Sequence, residues 1–250
     1  MVHTVADSSK HKSMREGGKI LSSVFDFLGG IVKEGVTARY IDDHVKQFIE
    51  KHHAEPGFLG YQGYGYSTCI SKNDEIVHGI PYPDKVFFEG DCVSIDVGVR
   101  YKGYYVDAAR TFLIGRVSDA VRHLAAVTEQ SFFVGISVLK SGVRLGDMGY
   151  EMQTYIESHG LTVVRDLYSH GVGRSLHEDP LIPNYGKKGS GVKVCRGMSL
   201  AIEPMVAMGG ADIETLDDNW TIVTKDRQWA AHYENTIIIT DNGVDVVTIA

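Results

Sequence analysis

An internal repeat limits the fold of this chain more than any other feature. The segment GVTARYIDDHVKQFIEKHH, starting at Gly35, aligns with GVRLGDMGYEMQTYIESHG, starting at Gly142, an offset of 107 residues. The same offset carries GDCVSIDV at Gly90 onto GMSLAIEP at Gly197, and therefore Asp96 onto Glu203. Two separated blocks with one offset favour duplication over chance similarity. The pattern predicts an α/β (α+β) chain made of two copies of a helix-plus-strand unit around a pseudo-two-fold axis. Each copy presents a carboxylate at the same strand position, so a site using both must lie where the halves meet.

Hydrophobic periodicity predicts four helices. The first has a capping box at Ser13 and Glu16, followed by Ile20, Leu21, Val24, Phe25, Leu28 and Ile31 at helical spacing. The others carry Ile41, Val45, Phe48 and Ile49; Val121, Leu124, Ala125, Thr128 and Phe132; and Leu145, Met148, Met152, Tyr155 and Ile156. Strands are predicted at 91–101, 104–114, 198–206 and 232–240, the last leading through an Asn242-Gly243 turn into VDVVTI. Residues 1–250 are expected to form a single catalytic domain, with about the first 12 residues an extended or flexible tail.

A 250-residue chain with 43% hydrophobic and 23% charged residues buries enough surface to fold without a structural metal, so any metal site is expected to be functional. The net charge of −7 argues against a nucleic-acid substrate. Cys69, Cys92 and Cys195 form no CxxC pattern and read as free thiols of a reducing compartment. The sequence MVHTVADSSKHK has no signal-peptide core and no long apolar run follows, so the expected location is cytoplasmic, without membrane contact.

The chemistry begins with a strand pair. Strand 91–101 alternates Val93, Ile95, Val97 and Val99 with Ser94, Asp96 and Gly98. If Lys102-Gly103 is a two-residue turn, Gly98 opposes Asp107, and Asp96 and Asp107 become diagonal neighbours on one face, roughly 7–8 Å apart at the backbone. Carboxylates that close in an apolar sheet repel unless a cation lies between them, and Gly98 is expected to leave it room. SHGVGRSLHEDP adds His170 and His177, and YEN adds Glu234, whose same-face neighbours are His232 and Thr236. Asp96, Asp107, Glu203 and Glu234 carry a charge that two divalent cations would neutralise. GKKGSG at 186–191 lacks the P-loop pattern and is expected to be solvated, and neither HExxH nor GxSxG occurs.

Taken in order, DEIVHGIP with His78, SIDVG with Asp96, GYYVDAARTF with Asp107, SHGVGRSLHEDP, AIEPMV with Glu203 and HYENTIII with Glu234 resemble the type I methionine aminopeptidases, from about Ser13 to Val247. The resemblance implies the pita-bread fold, with a central antiparallel sheet covered by helices. It also implies two divalent metal ions held by Asp96, Asp107, His170, Glu203 and Glu234, with cobalt, manganese, iron or zinc all suited to the donors. A water bridging the metals would attack the first peptide bond, with Glu203 as proton acceptor and His78 and His177 contacting the substrate. The methionine pocket would be lined by Phe58, Tyr61, Tyr64, Cys69, His78, Leu176, His177 and Trp220, and Cys69 would be the sensitive thiol.

The implied substrate is the N-terminal methionine of a nascent polypeptide with a small second residue, for an enzyme expected to be monomeric and with the ribosome as a candidate contact. Two alternatives stay open at this point. One is another pita-bread metallopeptidase, such as an X-Pro aminopeptidase or prolidase; the other is a non-catalytic binding module of the same fold.

Overall fold

The computed structural model describes residues 8–249, which begin with helices α1 (Ser8–Ile31) and α2 (Ala38–Lys51). The first half continues through β1 (Glu55–Pro56), β2 (Thr68–Lys72) and β3 (Glu75–Val77) to a long hairpin, β4 (Cys92–Tyr101) and β5 (Tyr104–Leu113). The second half starts with α3 (Asp119–Ser137) and α4 (Leu145–Ser158), then β6 (Thr162–Val163), β7 (Tyr168–Gly171) and β8 (Glu178–Pro183). It ends with β9 (Ser199–Ile202), β10 (Met205–Ala207), β11 (Ile213–Thr215), β12 (Ile222–Thr224), β13 (Ala230–His232), β14 (Asn235–Ile239) and β15 (Val244–Val246).

The duplication is present in three dimensions. Helices α2 and α4 are both 14 residues long, and they start 107 residues apart at Ala38 and Leu145. Backbone hydrogen bonds recur at the same offset: Gly35 N to Phe87 O matches Gly142 N to Val194 O, and Ala38 N to Lys85 O matches Leu145 N to Val192 O. The bridges Thr37 to Val86 and Arg144 to Lys193 repeat as well. Gly90 and Gly197 sit at φ 99° and 86°, so the turn before each repeated strand needs the left-handed backbone that glycine tolerates.

All strand pairs are antiparallel. The expected central sheet is divided. One sheet has β4 paired with β5 along one edge and with β2 and β1 along the other; a second runs β15-β14-β9-β7-β8. They meet where Ala109 and Glu234 exchange backbone hydrogen bonds of 3.3 and 3.0 Å. Thr236 Oγ1 reinforces the seam, accepting from Asp107 N at 2.8 Å and donating to Asp107 O at 2.9 Å. Two smaller sheets, β13-β10-β6 and β11-β12-β3, flank it.

Each half packs its helices against its own strands, and the first core also takes in Val172, Ala201, Ile238 and Val247 from the second half. Met14, Leu21, Val24 and Leu28 of α1 and Ile41, Val45 and Ile49 of α2 bury against Val93, Ile95, Val97 and Val99, the apolar face predicted for β4. Phe132 and Ile136 of α3 and Met148 and Met152 of α4 bury against Leu200, Ile202, Ile237 and Ile239. Helices thus cover one side of each sheet and leave the other side for the seam.

Several boundaries differ from expectation. The capping box does not start α1, which already runs from Ser8; His11 Nε2 lies 3.2 Å from Gly197 O, a tertiary contact that carries the helix upstream, and Glu16 pairs with Lys102 at 2.7 Å instead. Residues 8–12 of the expected tail are therefore helical, and residues 1–7 lie outside the described range. Strands 198–206 and 232–240 are each broken, at Glu203-Pro204 and Tyr233-Glu234. Pro204 has no N–H for a ladder, and the two breaks face each other, with Tyr233 N donating to Pro204 O at 3.3 Å. The Asn242-Gly243 turn does connect β14 to β15, but as a longer loop, because Ile239 pairs with Val244.

The space beside Gly98 is also put to a different use. A Cβ there would lie 2.7 Å from the Phe58 ring, and Gly57 N donates to Gly98 O at 2.7 Å. The missing side chain makes room for Phe58 and its loop, not for a cation. Gly98→Ala is therefore expected to overpack this contact at a cost of about 1–3 kcal/mol. Thermal unfolding should show a lowered Tm for Gly98→Ala and none of this loss for Gly243→Ala, where no atom lies within 4 Å and the backbone does not need positive φ.

Candidate metal centre and substrate cavity

The seam between the halves opens into one cavity, and every residue singled out in the sequence lines it: Phe58, Tyr61, Tyr64, Cys69, His78, Asp96, Asp107, His170, Leu176, His177, Glu203, Trp220 and Glu234. The β4–β5 register is the expected one, with Tyr101 opposite Tyr104 and Gly98 opposite Asp107. Lys102 and Gly103 take φ values of 49° and 80°, as a two-residue hairpin turn requires. Asp96 and Asp107 therefore share a face by backbone pairing alone. Glu203 and Glu234 come from the two facing strand breaks, which turn both side chains toward that face.

Two groups of potential ligand atoms lie within 4.8 Å of one another: Asp107, His170 and Glu234, and Glu203, His232 and Glu234. Asp96 adjoins Asp107 and Glu234, and its Oδ1, like Glu234 Oε1 and His232 Nε2, is buried with no hydrogen-bond partner. Orphaned carboxylate oxygens beside neutral imidazole nitrogens are the donor set that divalent cations satisfy. The residues therefore fit a dinuclear centre.

The electrostatics agree. Burial, then the charge of Asp107, raises the carboxyls of Asp96, Glu203 and Glu234 well above their ordinary range. Burial lifts Asp107 to about 7. Burial also lowers His170 and His232 to about 3 and His78 to about 4, so these imidazoles are neutral at physiological pH. Without cations the cluster thus holds protons on oxygen and lone pairs on nitrogen.

Neighbouring groups set the orientations. His170 Nδ1 lies 2.8 Å from Gly171 O, which can only accept, so Nδ1 carries the proton and Nε2 faces Glu203 Oε1 at 3.4 Å with its lone pair. Glu203 is clasped through its backbone. Its N donates to Ser169 Oγ at 2.8 Å, Ser169 Oγ donates to Asn184 Oδ1 at 2.7 Å, and Asn184 Nδ2 donates back to Glu203 O at 3.0 Å. Arg110 holds Glu234 in the same way, donating to Glu234 O at 2.6 Å and Asn235 Oδ1 at 2.7 Å between the rings of Phe25 and Tyr233.

The cavity wall is aromatic. Tyr64 meets Trp220 edge-on at 4.8 Å between centroids, and its hydroxyl donates to Thr68 O at 2.8 Å. Asp42 on α2 fixes the start of β2 by accepting from Ser67 N, Thr68 N and Thr68 Oγ1 at 2.8–2.9 Å, which sets Cys69 directly opposite Asp96. Burial, followed by the Asp96 charge, pushes the Cys69 thiol well above its ordinary value. Cys69 lines the cavity as expected, but the thiolate that makes a cysteine sensitive is disfavoured there, and Cys195 is the more accessible thiol. His177 Nδ1 lies 2.7 Å from the Tyr61 hydroxyl, and its ring lies 4.2 Å from that of His170.

Sequence reasoning did not assign His232, Thr236, Ser169, Asn184 or Arg110 to the site, nor the lining residues Gln62, Val77, Leu167, Tyr168, Leu181 and Met205. His232 and Thr236 carry the one available signal, strand alternation with Glu234. Asn184 has none, because its partners Ser169 and Glu203 lie 15 and 19 residues away in the chain.

Comparison with known proteins agrees with this geometry. The model of metallopeptidase family M24 matches residues 12–241. A methionine aminopeptidase of Clostridium acetobutylicum is 44% identical over 245 residues, covering 98% of each chain. Methionine aminopeptidase 1 of Bacillus subtilis is 44% identical over 94% of each. The crystal structure of the Thermotoga maritima methionine aminopeptidase superposes with a TM-score of 0.97 at 42% identity, covering 100% of both chains. A Pyrococcus furiosus prolidase shares the fold at a TM-score of 0.78, with 21% identity and 66% of its own chain covered.

Cation binding must displace the protons that the buried carboxyls retain, so affinity is expected to fall as pH drops through about 7, the value for Asp107. Calorimetric titration with Mn²⁺ in buffers of different ionisation enthalpy should show net proton release and about a tenfold weaker Kd per pH unit for each proton displaced. In the chelated protein the same shift acts on stability. A carboxyl whose folded pKa is raised contributes fully below its unfolded value, and that contribution is lost as pH rises through about 7. A Kd unchanged between pH 6 and 8 would contradict this picture of the cluster.

Proposed function

This chain belongs to metallopeptidase family M24, and on that premise we propose that it is a methionine aminopeptidase, a hydrolase that removes N-terminal methionine from polypeptides whose second residue is small. The observation that carries the reading is a cluster of four carboxylates, two of which (Asp96 and Glu234) keep a buried oxygen without a partner, in an apolar cavity lined by Phe58, Tyr61, Tyr64, Leu176 and Trp220. The fold is the pita-bread fold of the family, and residues 8–249 act as one catalytic unit because both halves contribute to the cluster.

Asp96, Asp107, His170, Glu203 and Glu234 would hold two divalent cations. Bound there, these would supply Lewis acidity that polarises the scissile carbonyl, anchors the free α-amine and makes water nucleophilic near neutral pH. The chain's own residues do the rest. Glu203, held at both backbone groups by Ser169 and Asn184, receives the proton that water loses and delivers it to the leaving amine. His177 is steadied through Nδ1 by the Tyr61 hydroxyl, so its Nε2 is free to contact the substrate amide, and His78 borders the same cavity. The aromatic wall takes the methionine side chain and excludes water from it, while Cys69 remains an uncharged thiol.

The proposal includes a cytoplasmic monomer that meets nascent polypeptides, with the ribosome as a candidate contact. No helix among the described residues is long and apolar enough to cross a membrane. Release of methionine from a Met-Ala-Ser peptide tests the assignment; turnover of X-Pro peptides with none of Met-Ala-Ser would overturn it in favour of a prolidase-like activity.

Metal binding and catalysis are expected to separate by residue. Asp107→Ala and Glu234→Ala should lower cation stoichiometry and kcat together. His177→Ala should keep both cations and slow kcat by about 10²–10⁴-fold, the range for losing a positioned proton-transfer or hydrogen-bonding group. A His177→Ala protein that loses a cation, or keeps full kcat, would show that its role is different.

A further inference from the structure

His232 stands in the second half where Asp107 stands in the first. The repeated hydrogen bonds Gly90 N to Ile114 O and Gly197 N to Ile239 O put the returning strands in correspondence at an offset of 125, which carries Asp107 onto His232. The strand register says the same. In the first half Gly98, two residues after Asp96, opposes Asp107; in the second Met205, two residues after Glu203, opposes His232. Asp96 and Asp107 are a diagonal pair on the face of the seam, and Glu203 and His232 are the duplicate of that pair.

The side chain occupies the place this predicts. His232 is 1% exposed, with Nε2 3.5 Å from Glu203 Oε2 and 3.9 Å from Glu234 Oε2, and Nε2 has no hydrogen-bond partner. Those three side chains form one of the two groups whose ligand atoms converge, and the other contains His170. A buried imidazole nitrogen aimed between two carboxylates and left unpaired costs free energy that a shared cation would recover.

We infer that His232 is a nitrogen ligand of the metal centre, so that the centre has one imidazole on each side: His170 with Asp107 and Glu234, His232 with Glu203 and Glu234. The inference rests on the metal-centre reading above and adds a donor to it. A second imidazole shifts the donor set toward borderline metals such as Zn²⁺ and Co²⁺ and away from those that favour oxygen alone.

Zn²⁺ titration of the full chain labelled with ¹⁵N-histidine tests this without altering the protein. Both His170 and His232 Nε2 resonances are expected to move to metal-bound positions, with His232 assigned by its absence from the His232→Gln spectrum. In parallel, calorimetry should show His232→Gln binding one Zn²⁺ at least about tenfold more weakly while the other is retained. If the His170 resonance moves and that of His232 does not, or if His232→Gln binds both ions as the parent does, His232 is no ligand. If neither resonance moves, the metal centre itself is overturned, and this inference with it.

Discussion

Four carboxylates buried within reach of one another are the constraint on which the rest of this structure depends. Each loses hydration on burial and each repels the others, so all four are pushed toward the protonated form. A fold can keep such a group only if its backbone is held so firmly that the side chains cannot swing apart. The clasp of Ser169 and Asn184 on Glu203, the seal of Thr236 on Asp107 and the donation of Arg110 to Glu234 O all meet that need. They grip main-chain atoms and leave the carboxylate oxygens free for cations.

Duplication explains how so costly a group could be assembled from simple parts. Each half buries an apolar core between its helices and one face of its sheet, so each supplies its own driving force for folding. The face left over carries an acid at the repeated position, and joining the two faces brings the acids together. The second copy is not a plain repetition. Its strands break at Glu203-Pro204 and Tyr233-Glu234, and the break adds Glu234 where the first copy has Ala109. One half thus brings a regular hairpin and the other a pair of facing corners.

The cavity inherits its selectivity from the same arrangement. Asp42 fixes β2 from α2, Gly57 and Gly98 let the Phe58 loop approach the hairpin, and Trp220 closes the wall from the 218–221 turn, where Asp218 accepts from both Trp220 N and Thr221 N. Recognition of the side chain and chemistry at the amide are therefore supported by different elements. A change in the aromatic wall can alter which residue is accepted without disturbing the carboxylates.

By itself the sequence determined the duplication, the four helices and the β4–β5 register, and it picked out a set of residues that all come to line one cavity. These are periodic or motif-borne properties: strand alternation with a two-residue turn places Asp96 beside Asp107 without any knowledge of the rest of the chain. Tertiary structure decided what depends on contacts between distant segments. It started α1 at Ser8 through His11 and Gly197, filled the space at Gly98 with Phe58, and split two expected strands so that Glu203 and Glu234 could face the hairpin. It also gave Ser169 and Asn184 their places, since a lone polar residue in a strand or loop has no periodicity to announce it and acquires a role only from the partners that folding brings within a hydrogen bond of it.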